Sequence, residues 1–133
     1  MSIRLRNIAL GLTMLFSTLY VKDAQALWPL SYSYYCLASS ATTVDCGFTV
    51  TNPGPSGYHY KWIFGDGAQT GISPSTTTTH TYAVSAGQTG YFNVSLLGYA
   101  SSNGPLDNVI QCQITVGNSW GVGGDPGSSG TCS

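Results

Sequence analysis

One stretch limits what this chain can fold into: Tyr58 to Tyr82, YHYKWIFGDGAQTGISPSTTTTHTY. In its first half Tyr58, Tyr60, Trp62 and Phe64 fall on one side of an extended strand, with His59, Lys61 and Ile63 on the other. Each buried aromatic withdraws about 150–250 Å² from water, so four on one pleated face require a core. Gly65-Asp66-Gly67 then stops the strand, because glycine accepts the positive φ of a tight turn and aspartate bonds nearby backbone N–H groups. The chain returns at His80-Thr81-Tyr82 and enters a second alternating run in which Phe92, Val94 and Leu96 share a face.

The flanking segments follow the same period of two. Tyr32, Tyr34 and Cys36 alternate with Ser31, Ser33 and Tyr35. Val44, Cys46, Phe48 and Val50 face one way, and Asp45, Gly47, Thr49 and Thr51 the other, which predicts a half-buried strand. The cluster Asn52-Pro53-Gly54-Pro55-Ser56-Gly57 ends it. Residues 68–75 read as a loop or short edge strand. The β-branched Thr76 to Tyr82, poor in apolar residues, reads as an edge strand. A last strand is expected over Val109 to Val116, with Ile110, Cys112, Ile114 and Val116 on one face. Six or seven short strands separated by turns predict an all-β antiparallel sandwich.

Three motifs carry a family resemblance. Tyr60-Lys61-Trp62-Ile63-Phe64-Gly65-Asp66-Gly67, then His80-Thr81-Tyr82, then Gly90-Tyr91-Phe92-Asn93-Val94-Ser95-Leu96, resemble the PKD domain (polycystic kidney disease repeat). That family's pattern runs YxWxFGDG, HxY and GxYxVxL. The chain departs from it at Phe92, where tyrosine is usual, and at Ile63, where aspartate is frequent. The resemblance covers about forty residues directly, and 32–116 by pattern. It implies an immunoglobulin-like sandwich of about seven strands, usually extracellular, serving as spacer or binding module rather than as an enzyme. It also implies structural roles for Tyr60, Trp62, Phe64, Gly65, Asp66, Gly67, His80, Tyr82, Gly90, Phe92, Val94 and Leu96.

The 133 residues are enough for one domain. The expected division is a signal-peptide helix at 1–26, the PKD-like sandwich at 27–116 and a Gly/Ser-rich tail at 117–133. Arg4 and Arg6 precede an apolar run from Ile8 to Tyr20, and Ala24-Gln25-Ala26 offers a cleavage site. A run of about thirteen residues falls short of the roughly twenty that a spanning helix needs, so cleavage is preferred over a membrane anchor. After cleavage one lysine, Lys61, stands against Asp45, Asp66, Asp107 and Asp125, a formal net charge of −3 with histidines neutral. One lysine cannot form the basic stripe that nucleic acid or an anionic membrane requires. The surface is then mostly hydroxyl, amide and glycine, which protects little against self-association.

Four cysteines in an exported chain predict two disulfides, and no CxxC pair suggests zinc or redox chemistry. Local pairing, Cys36–Cys46 with Cys112–Cys132, closes one strand–turn–strand unit and staples the tail. The rival is Cys46–Cys112 with Cys36–Cys132; the local set is preferred.

Candidate chemistry is sparse. Asp66 between glycines is a conceivable calcium ligand, but the other acids are scattered, and capping of its own turn is the preferred reading. Ser, His and Asp are present without a GxSxG elbow, so no catalytic residue, metal or cofactor is assigned. Asn93-Val94-Ser95 is a glycosylation sequon. The binding candidates are aromatics outside the tightest part of the pattern, Trp28, Tyr35, Tyr58 and Trp120, whose flat faces suit sugar rings or a protein partner if exposed. The expectation is a secreted, non-enzymatic module at the cell surface, in the periplasm or in the medium. It would bind an extracellular protein or polysaccharide, or as an alternative assemble with copies of itself through uncharged edges and the glycine-rich tail.

Overall fold

The computed structural model describes residues 27–123 and 127–133. The expected signal peptide and Asp125 lie outside the described residues. Seven strands follow in order: β1 Tyr32–Ala38, β2 Thr43–Val50, β3 His59–Ile63, β4 Thr77–Ala83, β5 Thr89–Tyr99, β6 Leu106–Gly117 and β7 Ser128–Cys132. They form two antiparallel sheets, one ordered β4-β2-β1-β7 and the other β3-β5-β6, stacked as a sandwich.

Alternation in sequence becomes burial. Val44, Cys46, Phe48 and Val50 of β2 are buried between exposed or half-buried neighbours, as are Tyr60 and Trp62 of β3. Aromatic edges and faces lock the two layers. Tyr32 meets Trp62 edge-on at 5.2 Å, and Phe48 lies 5.4 Å from Trp62 and 5.5 Å from Phe64. Tyr32 is fully buried, so its hydroxyl needs a partner, and it donates across the sandwich to the Val94 carbonyl at 2.9 Å. Burying one such side chain contributes about 1.5–3 kcal/mol.

β4 stands at the edge of its sheet, as its threonine content implies. The segment after β3 runs beside that strand, making bridges between Ile63 and Gln69 and between Tyr60 and Ser73. Cys36 pairs with Cys46 directly across β1 and β2 (Cα–Cα 4.0 Å), and Cys112 of β6 with Cys132 of β7 (Cα–Cα 5.9 Å), so the second bond ties one sheet to the other. Both belong to the preferred local set, and such bonds are characteristic of an oxidising, extracellular environment. No helix among the described residues is long and apolar enough to cross a membrane.

One expectation needs correcting. The end of the glycine-rich segment is not a tail: Ser128–Cys132 is β7, paired with β1 from Tyr32↔Cys132 to Cys36↔Ser128. Its only buried side chain is Cys132. What holds it is the unpaired edge of β1 together with the disulfide, neither of which leaves an apolar period in the sequence.

Candidate functional site: the outer face of the four-stranded sheet

The apolar residues of the three sequence motifs build much of the interior. Tyr60, Trp62, Phe64, Tyr82, Val94 and Leu96 are buried, and Phe92 stacks on Tyr82 at 4.2 Å. Gly65 has φ 86°, and a Cβ there would lie 2.5 Å from the backbone oxygen of Asn93, so the turn needs glycine for conformation and for space. Asp66 caps its turn by accepting from the Ala68 N–H at 3.1 Å. Its second oxygen meets His80 Nε2 at 2.7 Å. Burial works against its ionisation, but the hydrogen bonds from His80 and Ala68 outweigh it and hold the carboxyl below its ordinary value.

The four aromatic binding candidates do not come together. Tyr58 is buried, its ring clamped between Gly54 and Gly98, and its hydroxyl donates to Asp107 Oδ2 at 2.6 Å. Burial, then the Asp107 carboxylate, push that hydroxyl's pKa up, so it stays protonated and donating. Tyr58 therefore offers no surface for a ligand. Trp28 is half-buried against Tyr58 and donates its indole N–H to the Asn52 carbonyl at 2.9 Å. Trp120 is half exposed in the connection after β6. Only Tyr35, 52 % exposed, projects over a concavity.

That concavity is a shallow groove of about 650 Å³ on the outer face of the four-stranded sheet. Its floor is β2, whose outward residues are Asp45, Gly47 and Thr49. Register sets its walls. Tyr35 of β1 and Thr79 of β4 lie opposite Gly47, and Leu37 and Thr81 lie opposite Asp45. The two walls stand two strand spacings apart, about 9.5 Å. Between them Gly47 contributes no side chain, and a Cβ built there meets nothing within 4 Å.

Asp45 is the groove's carboxylate. Its Oδ1 accepts from Thr81 Oγ1 at 2.7 Å and from Ser39 Oγ at 3.2 Å, which fixes the group while Oδ2 has no protein donor among the described residues. Among the described residues no lysine or arginine lines the groove; Lys61 is on β3, in the other sheet. The His80 ring is turned to the inner side, flat on Phe64, so the groove's hydroxyls have no imidazole beside them. Among the described residues no three His, Cys, Asp or Glu side chains are grouped to hold a metal ion. The chemistry on offer is stacking, apolar contact and hydrogen bonding.

Of this site the aromatic search finds Tyr35 and misses Leu37, Asp45, Gly47, Thr79 and Thr81. One signal was present: a glycine in the middle of a strand marks a place where something else approaches the backbone closely. Comparison with protein-family models, with curated proteins and with solved structures found no match to this chain.

Proposed function

We propose that this chain is an exported, non-enzymatic binding module, an immunoglobulin-like sandwich of the PKD type, whose contact surface is the groove over β2. The observation that carries the reading is Gly47. A mid-strand glycine costs about 0.5–1 kcal/mol relative to alanine. At Gly47 the fold gains nothing in return, since its φ is not positive and the space above it is open. What the glycine provides is a bare floor beside an exposed tyrosine. The test is capture by immobilised protein from printed arrays of oligosaccharides and peptides. Gly47→Leu is expected to abolish capture, Tyr35→Ala to weaken it and Trp120→Ala to leave it unchanged; capture indifferent to both groove substitutions refutes the reading.

A second reading, a self-assembling surface subunit, rests on β4. This edge strand carries no Lys, Arg, Asp, Glu or Pro, and its pairing with β2 runs without a bulge, so the usual blocks against edge-to-edge pairing are missing. Light scattering of the oxidised protein over a concentration series decides it. Growth into dimers or filaments supports assembly, and a monomer at every concentration rejects it.

A further inference from the structure

We infer that the ligand of this groove is a linear, uncharged polysaccharide lying along β2 with a sugar ring against Tyr35; the inference rests on the binding role proposed above. The lining has the composition such a chain needs. The half-exposed Tyr35 ring offers an apolar face for the C–H face of a sugar, with Leu37 continuing that wall. Opposite, the Thr79 hydroxyl can donate and accept, as sugar hydroxyls do, and Thr81, whose proton goes to Asp45, can still accept. Asp45 accepts only, and with Oδ1 already held by Thr81 and Ser39 it presents Oδ2 as a fixed acceptor for a sugar O–H.

Two other ligand classes fit less well. An anionic glycan or a phosphate would bring negative charge to a groove where the described residues supply one carboxylate and no lysine or arginine. A peptide is poorly served because the groove lies on the sheet's face, where the N–H and C=O groups of the floor strand β2 are already spent in its ladders with β1 and β4. Extended peptides bind most readily by adding to an edge, where those groups are open. A glycan presents side groups and not a backbone ladder, so a face is enough. From Thr49 to Asp45 the floor runs about 13 Å at roughly 3.3 Å per residue, longer than one sugar ring, which points to the interior of a chain.

The experiment takes the oxidised protein to an array of neutral gluco-, xylo-, manno- and chito-oligosaccharides, with sulfated oligomers, uronic-acid oligomers and extended peptides printed alongside. Calorimetry on the best neutral hexamer follows. The expected result is capture of neutral oligomers that longer chains improve and that added salt leaves unchanged. Tyr35→Ala should weaken binding by about tenfold or more, the scale of one stacking contact. Asp45→Asn should weaken it several-fold, and Gly47→Leu should abolish it while the circular dichroism and melting temperature confirm a folded sandwich. Capture confined to anionic oligomers, or no oligosaccharide capture at all, overturns the inference. Peptide capture that depends on Tyr35 and Gly47 overturns the glycan and keeps the groove. Neutral-glycan capture that ignores all three substitutions overturns both.

Discussion

The imidazole of His80 lies flat on the ring of Phe64, with centroids 4.1 Å apart and planes within 1°, while its Nε2 reaches Asp66 at 2.7 Å. A core aromatic, an edge strand and a turn are thereby joined through one side chain. HxY and GDG are two motifs that this contact makes into one unit.

That contact sets an acid limb. Desolvation raises the Asp66 pKa, but the bonds from His80 and the Ala68 N–H lower it further, so the carboxyl sits below its ordinary 3.8 in the folded chain. A depressed carboxylate stabilises the fold fully above its unfolded value, and that stability drains away as pH falls through the folded one. Denaturation midpoints from pH 6 to pH 2 are expected to hold until about pH 4 and then decline. Asp66→Asn should flatten that decline, and Asp66→Ala should cost about 1–3 kcal/mol at neutral pH by breaking a charged hydrogen bond.

Gly65 and Gly67 flank the same aspartate and should respond differently to alanine. Both have positive φ, 86° and 97°. At Gly67 a Cβ meets nothing, so Gly67→Ala should cost about 1–2 kcal/mol for the left-handed backbone alone. At Gly65 the Cβ would strike the Asn93 backbone, which cannot swing aside as a side chain would. Gly65→Ala should therefore add a steric penalty and cost about 3 kcal/mol or more. Urea titrations of the two variants give the comparison directly.

Gly47 should behave in the opposite sense. It lies mid-strand with free space above it, opposite Thr79 of β4 and Tyr35 of β1. Gly47→Thr supplies β propensity without a clash and should stabilise the sandwich by about 0.5–1 kcal/mol. A rise in the urea midpoint, set beside the loss of capture argued above for a larger side chain, would separate what the fold wants at this position from what the groove wants. A fall would mean the glycine serves the fold.

Much of the interior was legible in the sequence because period-two alternation states which side chains face inward. The run Tyr58 to Phe64 and the run Val44 to Val50 are buried on the faces their alternation names. Alternation does not state which strands become neighbours. Tyr35, Asp45 and Thr81 form one site only because β4, after the chain has visited the other sheet, returns to lie against β2. β7 was illegible for another reason. Ser128–Cys132 buries one side chain and has no periodic apolar signal, so its strand is imposed by β1. Trp28 and Tyr58, binding candidates only if exposed, are drawn into the packing, their polar ends held by hydrogen bonds to Asn52 and Asp107.

The two disulfides should differ in what they protect. Cys36–Cys46 spans 10 residues and joins strands already paired along their length. Cys112–Cys132 spans 20 residues and is the covalent tie that anchors β7, which otherwise holds through its ladder with β1 and a hydrogen bond from the Gly117 N–H to Ser128 Oγ. Loop-closure entropy alone makes the longer loop worth about 3 kcal/mol and the shorter one only slightly less, so global stability will distinguish them poorly. Local opening should distinguish them well. With Cys112 and Cys132 both replaced by serine, β7 loses its one buried apolar side chain together with the bond, and the edge of β1 should open far below the global unfolding free energy. Hydrogen exchange is then expected to quicken at the β1 amides that face β7 while the β3 and β5 amides keep their protection. Serine at Cys36 and Cys46 should leave the β1–β7 ladder protected. If the Cys112/Cys132 variant keeps its β1 protection, the ladder alone holds β7 and the disulfide is not its anchor.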